Sequence, residues 1–465
     1  MTDTTTRVKP GDALLWVAAF AAAKLVFHTF VNQQYGFHRD ELATLDSARN
    51  LAWGYVAYPP LTPFVGRVAL TLFGESLAGF RFFAAAAQSV AIVLAASLAG
   101  RFGGGRAAQW LAALGVAVST VSLAASSLFQ YVAFDYLWWV LIAWLVVRLI
   151  ETDDRRWWVA VGAVVGVGFL TKYTILFFVA GLAVGFFATP LRRHFKSPWL
   201  WAGVAVALVL AAPNLAWQAR HDFVTLEFLK SIHARDVTLG RTDNFLLNQL
   251  FVPANPITVP LWGAGLVALF ASPSLRRFRA LGWTALATFA LFLFARGRDY
   301  YTAPLYPVLL AAGAVWWLSF LKARGVSEKL SMAVAVPALL LAGGAVAAVV
   351  IPVAPVGSRW WRAALKVNGD LREEVGWPEL VAEVARVWGT IPEGERARTA
   401  IYCANYGEAG AVNLYGPRHG LPRAISGINS FWERGYGDPP PETVIVLGGT
   451  RDTPRKKSSP IIGPC

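Results

Sequence analysis

Residues 12–31 read DALLWVAAFAAAKLVFHTFV, and residues 32–41 continue NQQYGFHRDE. The first stretch is long and apolar enough to cross a bilayer as a helix. No small-residue cleavage site separates it from the polar loop, so it reads as an anchor and not as a removed signal. The second stretch ends on an adjacent carboxylate pair, Asp40-Glu41, and the same loop goes on to Tyr58-Pro59-Pro60-Leu61. Acidic groups set just beyond a membrane span point to an ion pathway or to a reaction centre that meets lipid-borne substrate.

Working outward, apolar segments recur at about 77–100, 107–126, 131–149, 157–171, 174–190, 199–217, 257–272, 280–295, 301–321 and 330–352. With the first they make eleven expected spans. The chain is 56% hydrophobic and only 15% charged, with mean hydropathy +0.48, which excludes an ordinary soluble protein. The net charge of +14 does not signal nucleic acid, because the cations are not gathered on one face. They fall at every second break: Arg7 and Lys9; Arg101 and Arg106; Arg148, Arg155 and Arg156; Arg192, Arg193 and Lys196; Arg276, Arg277 and Arg279; Lys322, Arg324 and Lys329. Short basic loops stay in the cytoplasm. The amino terminus is therefore expected inside, and the first loop and the tail outside.

Three outer segments hold the unusual polar residues. In the loop 32–76, apolar residues at helical spacing from Asp40 to Trp53, with Gly54 as a stop, predict one short helix. Leu61 to Phe73, ending at Gly74, predicts another, both lying on the membrane surface. The loop 218–256 is mixed in charge and partly helical. From 353 to 465 the apolar fraction drops, and Thr399–Cys403 and Thr443–Leu447 read as strands. That predicts a small extracytoplasmic α/β domain beside a membrane domain of residues 1–352. Cys403 and Cys465 are expected to be free thiols, and 451–465 to be frayed.

Asp40 and Glu41 project about 100° apart on a helix start. One can act on substrate while its neighbour orients a cation or a metal; equally, Asp40 can serve as a helix-start acid. Lys172 (in Thr171-Lys172-Tyr173) and Arg296 with Arg298 (in Arg296-Gly297-Arg298-Asp299-Tyr300-Tyr301) interrupt apolar spans on the outer side, against the charge bias. Cations at that depth are costly, and a phosphate at headgroup level would satisfy all three. Asp135 opens an outer helix end and either pairs with one of these cations or caps its helix. His28, His38 and His221 lack metal-ligand spacing, so no metal site is expected; Gly103-Gly104-Gly105 is a turn and not a phosphate cradle.

These residues resemble those of the GT-C membrane glycosyltransferases of the dolichyl-phosphate-mannose-protein mannosyltransferase type (glycosyltransferase family 39), which include the aminoarabinose transferases of lipid A. The resemblance rests on His38-Arg39-Asp40-Glu41, Ala48-Arg49-Asn50-Leu51, Gly54, Tyr58-Pro59-Pro60-Leu61, Thr171-Lys172-Tyr173 and Tyr300-Tyr301-Thr302-Ala303-Pro304-Leu305-Tyr306-Pro307. It implies a polytopic α-helical GT-C fold in the inner membrane, a polyprenyl-phosphate sugar donor, a lipid, glycan or protein acceptor, and Asp40 as the catalytic carboxylate. Many aminoarabinose-type members have a lysine where this chain has Tyr58, which shifts the expected phosphate contacts to Lys172, Arg296 and Arg298, with Tyr58 kept among the donor-phosphate residues. His38, Arg39 and Tyr301 join the candidate site. In the tail, Asn405 and Glu408 lie in a polar-aromatic run that reads either as a sugar-binding surface or as turns.

The expected chemistry has Asp40 as general base, Glu41 positioning it or a nearby cation, and the three cations neutralising the leaving phosphate. No cofactor is called for, and dependence on a divalent cation is left open. The rival is a transporter or flippase with the same charges as ion relays. Against it, transporters favour midplane charges on broken helices within repeated halves, and no repeated halves are evident.

Overall fold

The structure, a computed structural model, describes residues 10–448. Arg7, Lys9, Cys465 and the stretch 451–465 lie outside the described residues. Each of the eleven expected segments contains helix, but the segments are not equal. Among the described residues seven helices are long and apolar enough to cross a membrane, or up to nine if two bent pairs each make one span. The remaining two, Trp157–Phe169 and Val259–Ala271, have 13 residues each. At 1.5 Å per residue that is roughly 20 Å, short of a hydrocarbon core of about 30 Å. Continuous apolar sequence had concealed where these helices stop.

Small residues let the helices close on one another. A Cβ on Gly162 would lie 2.0 Å from the Gly203 carbonyl oxygen, and one on Gly265 1.9 Å from that of Leu309, the tight approach on which membrane helix pairs depend. The bent pair Arg106–Ala117 and Thr120–Ser126 turns by 63°. Its break frees backbone groups that lipid could not satisfy. Asn255 donates to the Val118 carbonyl (3.3 Å), while Lys24 reaches in from the first helix to Ser122 Oγ (3.1 Å) and Ser126 Oγ (3.0 Å).

Both first-loop helices are present, as Arg39–Arg49 and Leu61–Phe73. The second presents Val68, Leu72 and Phe73 outward, as a surface-lying helix does. The first differs from expectation, because Glu41 through Ala48 are all buried. What covers it is the tail, whose helix Tyr406–Tyr415 carries Gly410 against the Leu42 backbone, where a Cβ would sit 2.8 Å from the Leu42 carbonyl carbon.

The tail contains a parallel pair of strands, Thr399–Cys403 and Thr443–Leu447, registered from Thr399 opposite Thr443 to Cys403 opposite Leu447. Helix Tyr406–Tyr415 packs on it, and helix Trp377–Gly389 packs on that helix. Its apolar interior is not separate. Val381, Ile401, Val412 and Phe431 belong to one cluster with Leu42 and Leu45 of the first loop, with Phe80 and Phe134 of the membrane helices, and with Phe129 in the connection before the second of these. Tail and first loop thus share a core, and that junction holds the unusual acids.

Candidate active site

The helix Arg39–Arg49 starts with a reciprocal cap. His38 Nδ1 accepts from the Asp40 N–H (3.1 Å), and Glu41 Oε2 accepts from the His38 N–H (2.8 Å), which satisfies donors that a helix start leaves open. From this start the two carboxylates diverge. Glu41 turns inward and is fully buried. Its Oε1 accepts from Arg81 Nε (2.8 Å) and the Phe129 N–H (2.7 Å), and its Oε2 from Arg81 NH2 (2.6 Å). Arg81 NH2 also meets Glu374 Oε2 of the tail at 3.1 Å. Burial pushes the Glu374 carboxyl above the usual range, with Arg81 opposing. Glu41 therefore holds a buried guanidinium and does not face open space.

Asp40 points outward, its side chain 36% exposed. Tyr406 OH of the tail donates to Oδ1 at 2.6 Å, and Gln130 Nε2 donates to Oδ2. Arg39 Nε lies 3.8 Å from Oδ1, and the Arg39 guanidinium sits 5.7 Å from the centre of the Tyr406 ring. Each carboxylate oxygen keeps a second lone pair, so the group can still accept a proton from substrate.

Beside it lies a cavity of about 270 Å³ lined by Tyr58, Tyr131, Lys172, Arg296, Arg298 and Tyr301, among others. The three cations singled out by sequence thus share one space. Lys172 Nζ is 3.9 Å from Asp135 Oδ2 and 3.9 Å from the centre of the Tyr301 ring, with the Tyr131 ring at 5.2 Å and Tyr300 at 5.4 Å. Burial pulls its ammonium down to about 8, with Asp135 opposing. Arg298 Nε donates to Asp236 Oδ2 at 2.6 Å, and Arg296 NH2 to Asp243 Oδ1 at 3.1 Å. Asp236 is also approached by Arg241 (3.3 Å) and Arg235 (3.5 Å). Against the upward push of burial, Arg298 and these neighbours hold its carboxyl below the usual range.

Asp40 is not in the cavity wall; it stands behind Tyr58 and Tyr131. Burial raises the Tyr58 phenol, and the negative charges of Asp40 and Asp46 add to that rise. The Tyr58 and Tyr131 rings are 6.1 Å apart, and Tyr131 in turn faces Lys172.

Asn405 and Glu408 form a capping box at the start of the tail helix, Asn405 Oδ1 accepting from the Glu408 N–H (2.9 Å). Neither lines the cavity; the residue between them that reaches the site is Tyr406. Sequence reasoning missed Arg81, Gln130, Tyr406 and Glu374 as members of this cluster. Arg81 carried a readable signal, since an arginine inside an apolar helix requires a partner. The other three carried none. Among the described residues no three of His, Cys, Asp and Glu gather as a metal site.

The model of the dolichyl-phosphate-mannose-protein mannosyltransferase family matches residues 57–217. A curated relative, lipid A galacturonosyltransferase RgtD of Rhizobium johnstonii, is 30% identical over 227 residues, which cover 48% of this chain and 47% of RgtD. The chain thus matches about half the length of that relative. Among solved structures, ArnT from Cupriavidus metallidurans bound to undecaprenyl phosphate superposes with TM-score 0.57 at 18% identity, over 89% of this chain and 86% of ArnT. Its apo state gives 0.55 at 17% identity, over 90% and 86%. The architecture is that of the GT-C glycosyltransferases, as the first-loop motifs implied.

Proposed function

We propose that this chain, built on the GT-C fold, is a membrane glycosyltransferase that moves a sugar from a polyprenyl-phosphate donor to an acceptor at the face Asp40 occupies. The observation that carries the reading is the shared cavity: Lys172, Arg296 and Arg298 line one space, and Tyr58, whose phenol feels the Asp40 charge, lines it with them. The ArnT structure with undecaprenyl phosphate supports a donor of this class, and the lipid A transferase RgtD favours a lipid acceptor. The reading includes eleven crossings, the two 13-residue helices crossing where the bilayer thins to meet them, the amino terminus in the cytoplasm, and the first loop and tail outside the inner membrane.

In this mechanism the donor phosphate enters among the three cations while its polyprenyl chain stays in the bilayer. The acceptor hydroxyl attacks the anomeric carbon from the side opposite the phosphate, so the configuration inverts. Its proton passes to an Asp40 oxygen as the bond between anomeric carbon and phosphate oxygen breaks. The bonding pair leaves with the phosphate, whose added negative charge falls on Lys172, Arg296 and Arg298, already oriented. Asp40→Asn keeps the side chain's shape and one accepting oxygen but removes the base. It should lower transfer by roughly 10²–10⁴-fold and leave binding of undecaprenyl phosphate intact. Near-normal transfer by this variant, using a panel of undecaprenyl-phosphate sugars in proteoliposomes, would falsify the assignment of the base.

A further inference from the structure

Directly after the last long apolar helix, Glu328–Val350, the chain forms a short helix, Arg359–Val367, reading RWWRAALKV. At 100° per residue its two sides separate cleanly. Arg359, Arg362 and Lys366 fall on one side, and Trp360, Trp361, Ala364, Leu365 and Val367 on the other. The three cations are exposed, and none joins an ion pair among the described residues. On the apolar side Ala364 is buried against the protein, while Trp360 is 44% and Val367 70% exposed.

The position of this helix is fixed at both ends. Trp360 Nε1 donates to the Ala348 carbonyl at 2.8 Å, and Asn368 Nδ2 to that of Val350 at 3.2 Å. Ala348 and Val350 end a 23-residue apolar helix, and where such a helix ends, the hydrocarbon ends. Tyr35, just beyond the first span, donates to the Ala354 carbonyl, and Glu374 follows shortly after to hold Arg81. The helix therefore lies at the same end of the bundle as Asp40.

We propose that Arg359–Val367 lies in the membrane interface and binds anionic phospholipid headgroups through Arg359, Arg362 and Lys366. The tryptophans suit the interface of any bilayer, but a zwitterionic surface has no net negative potential to attract three unpaired cations. Each cation near an anionic surface is worth roughly a fivefold gain in occupancy. Bound this way, the helix tethers the segment bearing Glu374 to the bilayer, independently of which reaction the site performs.

The test is site-resolved hydrogen exchange on the full chain in nanodiscs of phosphatidylcholine alone and of phosphatidylcholine with a third phosphatidylglycerol. Amides of 359–367 should exchange at least about tenfold more slowly in the anionic discs. Molar salt, which screens exposed charges, and the variant R359Q/R362Q/K366Q should each remove the difference. Equal exchange in the two discs, or a difference that survives either treatment, overturns the proposal. If the variant misfolds, the lipid and salt comparisons on the natural chain still decide.

Discussion

Removing one oxygen from the tail probes whether the tail is part of the site. Tyr406 is separated from Asp40 by most of the chain, yet its hydroxyl donates to Asp40 Oδ1 at 2.6 Å. Tyr406→Phe deletes that hydroxyl and little else. The ring keeps its place over Arg39, and the helix keeps its Asn405–Glu408 cap. A hydrogen bond to a charged group is worth about 1.5–3 kcal/mol, which corresponds to roughly a tenfold to hundredfold change. Part of it is recovered by water, since Asp40 is partly exposed, so about a tenfold loss is expected. The loss should fall on kcat, because Tyr406 steers the proposed base and does not line the cavity proposed for the donor; the KM for the donor should hold within about twofold. The assay is steady-state transfer in proteoliposomes, with thermal unfolding as a control. An unchanged kcat in a stable variant, or a defect confined to donor KM, would refute this account of the junction.

Two further outcomes follow from the charges. Lys172 sits near 8 because burial lowers it, so it is cationic at neutral pH and loses its proton as pH rises through that value. Donor affinity should therefore fall between pH 7 and 9, by up to about tenfold per unit above the pKa, and Lys172→Arg should flatten the profile; a profile unchanged in the arginine variant would exclude Lys172 as the titrating group. Arg81→Met would strand Glu41 and Glu374 in a buried site at a cost of about 3–5 kcal/mol. The triple variant R81M/E41Q/E374Q should recover most of that stability in thermal unfolding, and failure to do so would mean the cluster does not behave as a buried ion pair.

Particular residues mark how far sequence reading reached. The helix Leu61–Phe73 with its Gly74 stop was legible because helical spacing and a left-handed glycine are local signals; Gly74 has φ of 62°. Lys172, Arg296 and Arg298 were legible because each sits where apolar sequence and the charge bias both argue against a cation. The burial of Arg39–Arg49 was not legible, since it depends on a tail helix contributed from the far end of the chain. For the same reason Asp236, seen only as one charge among many in a mixed loop, gave no hint that it would hold Arg298.

Residue chemistry alone made this a polytopic membrane protein, grouped its acids at one end, and marked which cations are out of place. Those properties follow from single residues set against hydrocarbon, whose cost does not depend on their partners. That Asp40 faces outward under Tyr406 while Glu41 faces Arg81, and that the three cations share one cavity, emerges from the packed fold. Neighbouring carboxylates look alike in a list; burial and hydrogen bonding, set by chain segments far apart in sequence, gave one a structural partner and left the other available for chemistry.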